Sequence, residues 1–151
     1  MTAVATELTA PTATEAEALA ADWYRKLDIH APLDEVLALL SGDDVEMQFP
    51  EATLRGTGEF QQWYERVTNL FFDEVHTLKQ VDAEPTDNGT TVKVVVRWEA
   101  SVWNPPAANS ERIKCDAYQT WHVTRAAGSG RAVISRYIVD ELVFDADSAK
   151  L

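Results

Sequence analysis

The feature that most constrains this chain is a change of hydrophobic period near residue 72. Before it, apolar residues recur at helical spacing; after it, they alternate. Ala16, Leu19, Ala20, Trp23 and Leu27 predict a first helix over roughly 15–28, with Thr14 and Glu17 at capping-box spacing. Leu33, Val36, Leu37 and Leu40 predict a second helix after Pro32, ended by Ser41-Gly42. Val45 to Phe49 reads as a short strand stopped by Pro50. Behind the turn Arg55-Gly56-Thr57, with Thr57 as N-cap, Phe60, Trp63, Tyr64, Val67, Leu70 and Phe71 give a third helix a wide aromatic face. Strands are then predicted over roughly 74–84, 90–103, 111–125 and 131–144. Asp87-Asn88-Gly89 and Gly128-Ser129-Gly130 are hairpin turn signals, and 104–110, with Pro105-Pro106, is a longer hairpin loop. Consecutive hairpins make an antiparallel sheet, and helices followed by strands make an α+β domain. One domain over 14–146 suits the length, preceded by a disordered tail over 1–13.

Alternation sorts the strand side chains onto two faces. Val92, Val94, Val96, Trp98, Ala100 and Val102 form an apolar face that must meet the helices, while Lys93, Arg97 and Glu99 lie opposite, with Val95 the exception. Charge narrows the partners. With 25 acidic against 13 basic residues the net charge is −12, which disfavours nucleic acid and anionic membranes. Cys115 is the single cysteine, so no internal disulfide or multi-cysteine metal site forms. His30, His76 and His122 lack metal-ligand spacing, and no phosphate loop, nucleophile elbow or dinucleotide fingerprint occurs. No metal or cofactor is expected. The absence of a signal-like start and of any membrane-length apolar run leads us to expect a cytoplasmic protein.

Tyr24 stands nine residues before Leu33-Asp34. Val36-x-Ala38-Leu39, Asp43-Asp44, Pro50, Gly56-Thr57 and Trp63-Tyr64 follow in order. This pattern resembles the nuclear-transport-factor-like superfamily, and within it ketosteroid isomerase and the SnoaL-like polyketide cyclases, over roughly residues 15–144. The resemblance implies a cone-shaped, curved, mainly antiparallel sheet packed on three N-terminal helices and enclosing a pocket. It implies that Val96, Trp98, Cys115, Ala117, Gln119, Trp121, Arg136, Ile138 and Asp140 point inward, with His76, His122 and Tyr137 on the convex side. It also implies a homodimer through that convex face, where Val95, Tyr118, Tyr137 and Val139 would supply the apolar content.

The same resemblance assigns roles. Tyr24 is the expected oxyanion donor, supported by a hydrogen bond from Tyr64, and Gln119 is the match to the second donor. The isomerase's general base falls at Phe49, which cannot take a proton, so the steroid reaction itself is not expected. Asp140 is the expected replacement base, and Arg136 a ligand-binding cation. Phe49, Trp63, Tyr64, Val96, Trp98, Trp121 and Ile138 complete the expected wall, suited to an apolar ring-containing molecule. The function these residues point to is isomerisation, cyclisation or dehydration near a carbonyl. Non-catalytic ligand binding and a dimeric interaction module are the alternatives. Scytalone-dehydratase-like members use histidine and aspartate, so His76 or His122 serves as base if its strand face is the inner one.

Overall fold

The computed structural model describes residues 9–150. Helix α1 spans Ala13–Asp28. It begins earlier than expected because Thr12, not Thr14, caps it. The Thr12 hydroxyl accepts from the Glu15 N–H at 3.2 Å, and the Glu15 carboxylate accepts from the Thr12 N–H at 3.0 Å. Most of the expected tail lies outside the described residues, but 9–12 depart from it. The Thr90 hydroxyl donates to the Pro11 carbonyl at 2.6 Å, and Arg125 donates to the Thr9 carbonyl at 2.6 Å. Arg125 also pairs both its terminal nitrogens with Glu15, whose carboxyl it holds down at about 2.

The C-terminus of α1 is closed by two reversed hydrogen bonds, His30 N–H to Leu27 carbonyl at 3.2 Å and Ala31 N–H to Lys26 carbonyl at 2.9 Å. This is the Schellman arrangement, which needs one residue in the left-handed region. Glycine usually supplies it; here His30 does, at φ 50°. Helix α2 is a short turn, Leu33–Leu37. Strand β1, Glu46–Phe49, folds back at Pro50-Glu51 into β2, Ala52–Arg55, which the sequence reading took as loop. Helix α3, Gly56–Leu70, starts at Gly56 itself, whose φ of 84° suits glycine. Thr57 does not cap it; its hydroxyl donates to the Asp43 carboxylate at 2.5 Å. Four long strands follow: β3 Phe71–Thr86, β4 Gly89–Val102, β5 Glu111–Arg125 and β6 Ala132–Phe144.

The six strands form one sheet in the order β2-β1-β6-β5-β4-β3. Only the β1–β6 pairing is parallel. The helices fill the concave side, where Trp23, Met47, Phe60, Trp121 and Ile134 are fully buried. Val92, Val94 and Val96 meet them as alternation requires. This is the expected α+β cone.

Three bulges decide what faces inward. From the Asp87-Asn88-Gly89 turn, Thr86 pairs with Gly89 and Val81 with Val94. A constant register would set Thr77 opposite Trp98. A register shift between Leu78 and Gln80 inserts Lys79, so His76 faces Trp98 and shares its inner face. On β6, shifts at Ser135 and at Asp140 bracket Arg136 to Val139 and invert their alternation relative to both flanks. Trp121 therefore pairs with Tyr137, and Gln119 with Val139.

The consequence overturns six expected orientations. Tyr137 and Val139 point into the cone, not to the convex face, and His76 does the same. Arg136 points outward, half exposed, and pairs with Glu46 at 3.1 Å. Ile138 pairs with Gln48 on that outer face. Asp140 is exposed and accepts from the Thr120 hydroxyl at 2.7 Å.

Candidate functional site

The cone encloses a cavity of about 130 Å³, close to the volume of about 150 Å³ that holds one benzene ring in an engineered protein. Two of the three helices contribute walls. Leu27 comes from α1, and Trp63, Tyr64, Val67 and Thr68 from α3. The sheet supplies Phe71, Glu74 and His76 from β3, Val96 and Trp98 from β4, Ala117 and Gln119 from β5, and Tyr137, Val139 and Leu142 from β6. Phe49, Pro50 and Glu51 bring the β1–β2 turn to the cavity, with Phe49 stacked on Trp63 at 4.4 Å.

Of the residues singled out from sequence, Phe49, Trp63, Tyr64, Val96, Trp98 and Gln119 line this cavity. Tyr24 and Trp121 stand one layer behind it, buried at 3% and 1% exposure. Arg136, Ile138 and Asp140 lie outside for the reason given above. Cys115 is inward and fully buried, and burial pushes its thiol up to about 11, so it is no nucleophile.

Behind the cavity lies a polar chain. The Tyr24 hydroxyl donates to Gln119 Oε1 at 2.8 Å, and Trp121 Nε1 donates to the same oxygen at 2.8 Å. Tyr24 has one proton and spends it on Gln119. At the 3.2 Å contact with Tyr137, Tyr137 is therefore the donor. The two donors to Oε1 fix the amide's orientation. They turn Gln119 Nε2 away from that oxygen, on a side chain only 5% exposed that lines the cavity beside the Tyr137 hydroxyl. Burial raises the phenols of both Tyr24 and Tyr137. The Trp23 indole and the Gln119 amide near the Tyr137 hydroxyl offset part of that rise. Tyr64 does not support Tyr24; its hydroxyl donates to the Ala31 carbonyl at 2.6 Å, and burial together with the Glu74 and Glu35 charges pushes it up to about 12. All three phenols keep their protons at neutral pH.

A second constellation was placed on the wrong face from sequence. His76 Nδ1 lies 2.6 Å from Asp28 Oδ1, and the His76 backbone N–H donates to Asp28 Oδ2 at 3.0 Å. A carboxylate oxygen accepts, so Nδ1 is the donor in this contact, and in the neutral ring the lone pair is on Nε2. Nε2 has no partner among the described residues and is the nitrogen left for the cavity. The imidazole is held between Tyr24, stacked at 4.6 Å, and Trp98, at 6.3 Å. Asp28 is the last residue of α1, where the helix dipole disfavours negative charge. A carboxylate there gains little from its own helix, which is the signal that could have drawn attention to it in the sequence.

Glu74, two residues before His76, faces the same cavity. Its carboxylate accepts from Trp98 Nε1 at 3.1 Å and lies 2.5 Å from His30 Nε2. Among the described residues no group of three or more His, Cys, Asp or Glu side chains could hold a metal ion, and no helix is long and apolar enough to cross a membrane.

No protein-family model matches the chain, and no curated protein sequence matches it. Solved structures do. A candidate aromatic ring hydroxylase from Novosphingobium aromaticivorans superposes with a TM-score of 0.74 at 14% identity, covering 91% of this chain and 96% of its own. A ketosteroid isomerase-like protein from Erwinia carotovora atroseptica gives 0.64 at 19%, covering 83% and 92%. A candidate scytalone dehydratase from N. aromaticivorans gives 0.60 at 16%, covering 89% and 86%. The chain shares their nuclear-transport-factor-like fold. At such identities the likeness carries the fold and not the reaction, because this architecture hosts many activities.

Proposed function

We propose that the protein is an acid–base enzyme acting on a small ring-containing carbonyl compound, as an isomerase, cyclase or dehydratase. The observation that carries this reading is the Asp28–His76 pair, with Nε2 left for an apolar, ring-sized cavity. His76 Nε2 takes the proton α to the carbonyl. Asp28 stabilises the imidazolium that forms and keeps the ring in the productive tautomer. Negative charge growing on the carbonyl oxygen meets the side-chain N–H of Gln119, a neutral donor of the oxyanion-hole type. Returning the proton to another carbon gives isomerisation, and passing it from His76 to a departing β-hydroxyl, which leaves the enolate as water, gives dehydration. Tyr24, Tyr137 and Trp121 are positioning residues in this scheme: Tyr24 and Trp121 hold Gln119 Oε1 and turn its nitrogen to the substrate, and Tyr137 donates to the Tyr24 hydroxyl.

The test needs no knowledge of the natural substrate. 2-Tetralone in D₂O exchanges its α-protons when a base forms the enolate, and proton NMR reads the loss of signal. Wild-type protein is expected to speed exchange above the buffer rate, saturably with ketone. Binding without any acceleration would refute the enzyme reading and leave a non-catalytic ligand-binding protein.

A further inference from the structure

We propose that the cavity selects its ligand by charge, taking ring compounds that carry a protonated amine and rejecting carboxylates, with Glu74 as the counter-charge. This rests on the cavity being the binding site and deepens that reading to a substrate class. The cavity lining contains two carboxylates, Glu51 and Glu74, and no lysine or arginine. The cation expected there, Arg136, is on the outer face and paired with Glu46.

Glu74 is the interior member. Its side chain is 9% exposed, and its oxygens are oriented by Trp98 Nε1 and His30 Nε2. Two hydrogen-bonded contacts leave a carboxylate with acceptor capacity to spare. Holding it there uses non-glycine residues in the left-handed region on both sides, His30 at φ 50° and Asp73 at φ 50°. The aromatic faces of Trp98, Phe71 and Tyr64 line the same space. A carboxylate among aromatic rings is the setting in which an ammonium group gains both ion pairing and cation–π attraction. An entering carboxylate meets like charge and desolvation, with no lysine or arginine in the lining to compensate it. The Gln119 side-chain amide, which lines the same cavity, offers a separate N–H donor for the ligand's carbonyl, so the two ends of the ligand are read by different groups.

Three probes of one shape decide the matter: benzylamine, benzyl alcohol and benzoate, bound at pH 7 to the full chain and followed by ligand-observed NMR and calorimetry. Benzylamine is expected to bind roughly fivefold to thirtyfold more tightly than benzyl alcohol, with benzoate weakest. In Glu74→Gln, checked for fold by circular dichroism, the amine's advantage should shrink to about twofold or less. Benzoate binding as well as benzylamine, an amine preference that survives Glu74→Gln, or no binding of any probe would each overturn the proposal. Should the variant fail to fold, the order of the three probes on wild type still decides it. These measurements involve no proton transfer, so a failed exchange assay and a failed charge preference are separate results.

Discussion

His76→Gln is expected to reduce 2-tetralone exchange by roughly 10²–10⁴-fold, the usual range for removing a positioned general base. Glutamine keeps much of the volume and a polar end near Asp28 but has no nitrogen that can accept a proton at neutral pH. The fold should survive, because the inner face of β3 around His76 is only partly enclosed. Asp28→Asn gives the complementary result. An amide N–H can donate to Nδ1, which moves the ring proton to Nε2 and takes the lone pair out of the cavity. A rate loss toward the lower end of that range is expected, with ligand binding retained. Exchange that persists in both variants would remove the pair from the chemistry.

Tyr24→Phe is expected to cost stability before it costs rate. The substitution deletes one donor to Gln119 Oε1 and the acceptor of the Tyr137 hydroxyl. Gln119 keeps Trp121 as a donor, but the Tyr137 hydroxyl is left in a buried site without its partner, at a cost of about 1–3 kcal/mol. For a chain of this size each kcal/mol lowers the melting temperature by roughly 2–4 °C. Exchange should fall by less than about tenfold, since the chemistry of His76 is untouched. An oxyanion donor behaves in the opposite way, with melting unchanged and roughly 2.7–4 kcal/mol lost from the transition state. Thermal melting beside exchange separates the two.

The contrast between these residues shows what the sequence could convey. On β4 and β5, pairing runs without interruption from Thr90–Val123 to Val102–Glu111, so simple alternation finds the inner faces of Val96 and Trp98, and the faces that the resemblance implies for Gln119 and Trp121 agree with it. On β3 and β6 the bulges at Lys79, Ser135 and Asp140 each shift the register by one residue. No glycine or proline marks them, and a one-residue slip exchanges the two faces completely. The resemblance sets His76, Tyr137 and Val139 on the convex side, and the bulges bring them inward. Arg136, Ile138 and Asp140 were drawn inward by the same resemblance. The polar chain behind the cavity fared differently. Tyr24 and Gln119 were legible as members of the site, but the direction of the Tyr24 proton depends on Gln119 and Tyr137 converging from strands far away in sequence. Bulges of this kind re-aim side chains at functional sites, and here they bring the histidine to the cavity.

The central claim is that His76 presents an unprotonated Nε2 to whatever occupies the cavity. Nitrogen-15 NMR of the histidine side chains, with and without 2-tetralone, tests it most directly. Neutral His76 is expected to show a protonated Nδ1 and a bare Nε2, and a shift of the Nε2 signal when the ketone binds. A proton resident on Nε2, or a His76 signal unmoved by saturating ketone, would contradict it.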